Sequence, residues 1–102
     1  MLGGLILDSG ENDVVVASTV PRTVLTLDFC NTDTVDHNVN IYAYPDGITK
    51  LTWIMNWKIP AGDTLSFTSD DKKLLQTNAK ITATPDVAGK IHVITNYDDE
   101  EV

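Results

Sequence analysis

The sequence predicts an all-β fold, a single-domain antiparallel β-sandwich or jelly roll of about seven to eight short strands. Three observations carry this. Apolar residues recur at every second position along most of the chain, turn-forming residues interrupt them every 8–14 residues or so, and no long stretch has a helical period. With 102 residues and 42% hydrophobic content, residues 1–102 form one domain able to bury a core without disulfides or metal.

The elements follow in order. Residues 1–12 read as an extended arm. "DVVVAS" is a continuous apolar run, either a fully buried strand or a strand packed in an interface. "TVLTLDFCN" turns Leu25, Leu27 and Phe29 inward and Thr26 and Asp28 outward, and "HNVNIYAY" sets Val39, Ile41 and Ala43 against Asn38, Asn40 and Tyr42. In "LTWIMNWKI" Leu51, Trp53, Met55, Trp57 and Ile59 share one face, and Ile54 is the apolar exception on the other. "DTLSF" adds Leu65 and Phe67; "KITAT" and "KIHVITNY" add Ile81, Ala83, Ile91 and Val93. Only "DDKKLLQTN" has the composition of a helical turn, too short to stand alone. The ending "DDEEV", residues 98–102, reads as a flexible acidic tail.

Turn chemistry separates these runs. "YPDG" is a type I or II turn with Pro45 at its second position, where the fixed φ of proline is already correct. In "IPAGD" Pro60 ends a strand by removing an amide donor, Gly62 takes positive φ, and Asp63 accepts backbone hydrogen bonds.

Charge narrows the partners. Seven Lys and Arg against fifteen Asp and Glu give a net charge of −8, and only Lys72 and Lys73 are adjacent. Without a basic stripe, neither nucleic acid nor an anionic membrane is expected as partner; a basic or neutral protein surface is. No run of 18 apolar residues is present to form a membrane-spanning helix. The opening "MLGGLILDSGEND" lacks a basic region and makes a poor signal peptide, so use without secretion is expected. Cys30, the single cysteine, forms no internal disulfide and fits a reducing compartment.

The residues that carry chemistry elsewhere have plainer readings here. His37 and His92 lie far apart, with no metal-ligand spacing, and are expected as surface histidines. Cys30 reads as a small half-buried residue with no histidine suggested beside it by spacing. "NTDTVDH" places Asn31, Asp33 and Asp36 in one loop, but lacks the glycine and bidentate glutamate of the helical calcium motif; Asx turns account for the same residues. The carboxylate pairs Asp70-Asp71, Asp98-Asp99 and Glu100-Glu101 read as solvated charge. The expectation is therefore a non-enzymatic protein with no catalytic residue, metal site or cofactor. Trp53 and Trp57, sharing a face with Leu51 and Met55, belong to a core or a subunit interface. Tyr42 and Tyr44 fall opposite Ile41 and are candidates for an exposed contact surface.

In "FCNTDTVDHNVNIYAYPDG", "IPAGDTLSF" and "AKITATPDVAGKIHVIT" the chain resembles a group of small all-β phage virion proteins. The shared layout runs through Cys30-Asn31-Thr32-Asp33, Ile59 to Leu65, Leu74-Leu75, Ala79 to Ala83 and Gly89 to Val93, over most of residues 20–97. Thr77-Asn78-Ala79-Lys80 stands where that group carries glycine-aspartate. The resemblance implies a decoration or cement subunit: a homo-oligomer, trimer favoured, bound to the major capsid protein on the outer capsid surface of a virion and made in the host cytoplasm. A phage tail or fibre protein and a carbohydrate-binding module are the alternatives. The residues expected to bind the partner are Leu2, Leu5 and Ile6 near the amino terminus, together with Tyr42, Tyr44 and Ile54.

Overall fold

The computed structural model describes residues 2–67 and 73–99. Among them run nine strands: β1 (Leu2–Ile6), β2 (Asn12–Val15), β3 (Arg22–Asn31), β4 (His37–Tyr44), β5 (Leu51–Ile59), β6 (Thr64–Ser66), β7 (Lys73–Leu75), β8 (Lys80–Pro85) and β9 (Ile91–Asp99). All neighbours are antiparallel. One sheet has the order β1-β9-β3-β6, with β7 pairing to β3 beyond β6; the other has the order β2-β8-β4-β5. Since β6 faces Asp28–Cys30 and β7 faces Arg22–Val24, the two short strands act as one interrupted edge strand. Counted so, eight strand positions lie in two four-stranded sheets, and every connection crosses between them except β4 to β5 and the link from β6 to β7 along the interrupted edge strand. This is a jelly roll.

The core lies between the sheets. Val24, Leu27 and Phe29 from β3, Val39 and Ile41 from β4, Ile81 and Ala83 from β8, and Ile91 and Val93 from β9 are buried. Phe29 is fully buried and meets Trp57 edge-on at 5.4 Å between ring centroids. Burying one such ring stabilises the fold by roughly 1.5–3 kcal/mol.

Bulges account for most departures from simple alternation. The β3–β9 register shifts between Val24 and Thr26. That shift lets Val24 and Leu27 both face inward and leaves Leu25, expected inside, only half-buried. In β5 two shifts occur against β4: Val39 pairs with Trp57, Ile41 with Ile54 and Tyr42 with Thr52. Asn56 takes the left-handed conformation, φ 55°, and its N–H donates to Asn40 Oδ1 at 2.7 Å. As a result Ile54 turns toward the core, whereas Leu51 and Met55 become more than half exposed. In β2 a further shift buries Val14 and Val15 together and leaves Val16 exposed.

Residues 2–6 and 98–99, near the two ends, pair into the first sheet. In place of an amino-terminal arm, β1 pairs along β9 from Leu2–Asn96 to Ile6–His92, and Leu7 is fully buried. At the acidic end Asp98 and Asp99 continue β9, and Asp99 holds Arg22 through Nε and a terminal nitrogen at 2.6 and 3.2 Å. Residues 100–102 of the expected tail lie outside the described residues. Lys73–Leu75 is strand rather than helical turn, and the preceding 70–72 also lie outside.

Candidate functional site

Exposed apolar side chains sit at opposite edges of the sandwich. One patch is on the outer face of β1 and β9. Alternation along β1 sends Leu5 to the core and Leu2, Gly4 and Ile6 to the outer face, where Ile94 lies opposite Gly4. Leu2 is 73% exposed, Ile6 53% and Ile94 52%. Exposed apolar side chains also occur at edge strand β5, Leu51 and Met55, and in the β4–β5 loop before it, Ile48, each more than half exposed. Trp53 of β5 meets Phe67 edge-on at 4.9 Å, so an aromatic path runs from this edge through Phe67 and Trp57 to Phe29.

The expected partner-binding residues divide between exposed surface and other roles. Leu2 and Ile6 belong to the β1/β9 patch. Leu5 and Ile54 are half-buried against the core, Leu5 by strand parity and Ile54 because of the β5 bulges. Tyr42 and Tyr44 share the outer face of the second sheet, yet their rings are covered by cations: Lys50 Nζ lies 4.1 Å from the Tyr42 ring centre and Lys80 Nζ 4.7 Å from that of Tyr44. The Tyr44 hydroxyl donates to Glu11, which also pairs with Lys50 at 2.6 Å. Burial pushes the Glu11 carboxyl up, but the hydrogen bonds from Lys50 and Tyr44 outweigh it and hold the group below its ordinary pKa. Tyr42 and Tyr44 thus each carry a cation against the ring, and Tyr44 joins Lys50 in binding Glu11.

The end of the sandwich where β3 meets β4 is closed by polar side chains. Asn31 is fully buried; its Nδ2 donates to Val35 O at 2.9 Å and Ile59 O at 3.0 Å, and its Oδ1 accepts the Asp33 N–H at 2.9 Å. That last bond is the Asx turn expected in "NTDTVDH". His37, expected on the surface, is buried between two carboxylates, with Nε2 2.8 Å from Asp33 and Nδ1 3.0 Å from Asp86. An imidazolium satisfies both contacts at once, and the hydrogen bond to Asp33, followed by that to Asp86, raises the His37 pKa above the ordinary histidine value.

The β5–β6 turn belongs to the same end. Gly62 has φ 74°, as its place in "IPAGD" requires. The carboxylate that caps the turn is Asp36, accepting the Ala61 N–H at 2.9 Å, whereas Asp63 contributes its backbone, N–H to Pro60 and C=O to Asn31. That amide, helped by Lys58, holds the Asp36 carboxyl below its usual range. At the other end of the sandwich Asp46 caps the "YPDG" turn, accepting from Ile48 and Thr49 amides and the Thr49 hydroxyl, and its pKa falls to about 2.

One neighbour pair was not suggested by spacing: Cys30 and His92 lie opposite one another on β3 and β9. Among the described residues no cluster of three or more His, Cys, Asp or Glu side chains is placed to hold a metal ion. A groove of about 210 Å³ opens beside Trp53, Ala43, Pro45 and Ala79. These features define a small jelly-roll protein with apolar surface on two edges and its polar loops closed on themselves. No family model, curated protein or solved structure matches the chain.

Proposed function

We propose that this protein is a structural virion subunit, a decoration or cement protein that binds the outer surface of a phage capsid and strengthens contacts between major capsid proteins. The observation that carries the reading is the placement of exposed apolar residues at opposite edges of the sandwich, Leu2, Ile6 and Ile94 at β1 and β9, and Ile48, Leu51 and Met55 at β5 and the loop before it. A subunit with two contact edges bridges two neighbours, so any opening of the shell must break the added contacts as well as its own. The jelly roll supports the reading by analogy, since that architecture recurs in viral capsid domains; it also recurs in lectins, so fold alone does not choose. The cations seated on Tyr42 and Tyr44 count against a sugar platform there.

Cryo-electron microscopy of purified virions carrying this chain tests the proposal. The expected result is density repeating across the outer head at junctions between major capsid proteins, with the β1/β9 or β5 edge on the shell. Density confined to the tail, or absence from the particle, overturns it.

A further inference from the structure

Edge strand β1 differs from the other described sheet edges. β6 and β7 are three residues each. β2 is four residues long, carries Asp13 and contains a register shift. β5 is broken by two shifts, carries Lys58 and has Asn56 in the left-handed conformation. Short length, bulges and charges are the features that block strand addition at an edge. β1, sequence LGGLI, pairs with β9 without a register shift and has no charge, no proline and no positive-φ residue.

The direction of its backbone groups follows from one bond. The Leu7 N–H donates to Ile91 O at 2.9 Å, which makes Leu7 and Ile91 a hydrogen-bonded pair. Alternation in an antiparallel ladder then gives Leu5–Val93 and Gly3–Thr95 as the next such pairs. The N–H and C=O groups of Leu2, Gly4 and Ile6 therefore point away from β9, and among the described strands β1 ends its sheet. These residues are centred on Gly4, so the edge is complementary to itself.

We infer that β1 pairs antiparallel with β1 of a second copy of this chain, about a two-fold axis passing Gly4. Gly4 then faces Gly4, and Leu2 of each copy faces Ile6 of the other, with each pair exchanging both backbone hydrogen bonds. The β1-β9-β3-β6 sheets of the two copies join into one, and their Leu2, Ile6 and Ile94 side chains merge into a single apolar surface. Such contact is isologous and closes at two copies. No carboxylate of β1 meets another, because the strand has none. Repulsion between chains of net charge −8 acts from farther away and is screened by salt. Association therefore tightens as ionic strength rises. The inference stands apart from the virion reading: a chain that dimerises but never binds particles removes only the latter.

Sedimentation velocity of the full chain, from micromolar to millimolar concentration at low and high salt, tests this beside the double variant Leu2→Lys/Ile6→Lys. Both side chains are exposed, so the variant should melt at the wild-type temperature. The wild type should pass from monomer to dimer with concentration and more readily in high salt, and the variant should associate at least roughly tenfold more weakly. In NMR spectra the amides of Leu2, Gly4 and Ile6 should shift with concentration more than those of Gly3 and Leu5. A wild type that stays monomeric throughout, a trimer, association unchanged in the variant, or shifts centred on β5 would overturn the pairing.

Discussion

The loop end around His37 and the outer edge around Gly4 handle polar groups in opposite ways. At the loop end Asn31, Asp33, Asp36, His37 and Asp86 bind one another or nearby backbone, tying the β3–β4, β5–β6 and β8–β9 connections together. At the β1 edge, backbone groups of Leu2, Gly4 and Ile6 face outward beside exposed apolar side chains. The first region completes the fold, and the second leaves backbone groups and apolar side chains exposed. Substitutions at the loop end should therefore change stability, and those at the edge should change association.

The largest effect is expected at Asn31. Asn31→Ala removes three hydrogen bonds of a buried side chain and leaves the carbonyls of Val35 and Ile59 without that donor. A loss of about 2–4 kcal/mol follows, lowering the melting temperature by roughly 10 °C or more. An unchanged melting temperature would break the comparison.

Two glycines sharpen it from either end. Gly47 has φ 80°, and a Cβ there would stand 2.6 Å from Asn78 O; Gly62 has φ 74° with nothing within 4 Å of an added Cβ. Gly47→Ala should cost about 2–3 kcal/mol through strain and backbone displacement, and Gly62→Val about 1–2 kcal/mol through conformational strain alone. Chemical denaturation of both variants measures the difference, and equal costs would show that the Asn78 contact relaxes freely.

A smaller, pH-dependent effect is expected at His37. Because its folded pKa is raised, the stability it contributes is fully present below the ordinary histidine pKa and is lost as pH rises through the folded value. Asp33 is shifted down, first by His37 and then by the Thr34 amide, so its contribution is lost as pH falls through its own folded pKa. Wild type should exceed His37→Gln most clearly in weakly acidic solution, with the gap narrowing toward alkaline pH; parallel melting curves across that range would remove the imidazolium from the account. The smallest effect belongs to Ile94→Lys, which should change stability by no more than about 0.5 kcal/mol, since the side chain is already half exposed.

Much of the fold is legible where pairing is regular. Leu27 and Phe29, Val39 and Ile41, Ile81 and Ala83, and Ile91 and Val93 alternate in the sequence and are all buried. Because a bulge adds a residue without marking the hydrophobic pattern, Leu25 is only half-buried, and Leu51 and Met55 lie outside the core, which leaves the interface placement of their face open. A trace existed in Asn56, the residue of β5 best suited to a left-handed conformation. Leu2 and Ile6 were legible as an uncharged apolar start. Ile94 falls on the outward parity of "KIHVIT", the signal in the sequence that matches its exposure. The His37 site could not be read, because Asp86 lies 48 residues beyond its partner Asn38 and only the fold brings them together.

Residue-resolved hydrogen exchange on dilute, monomeric protein tests the contrast most directly. The account predicts strong protection for the amides of Asn31, Thr32 and Asp86, which close the loop end on Asp63, Lys90 and Asn38, and fast exchange at Leu2, Gly4 and Ile6 beside slow exchange at Gly3 and Leu5. Fast exchange across the loop end, or uniform protection along β1 in the monomer, would contradict it.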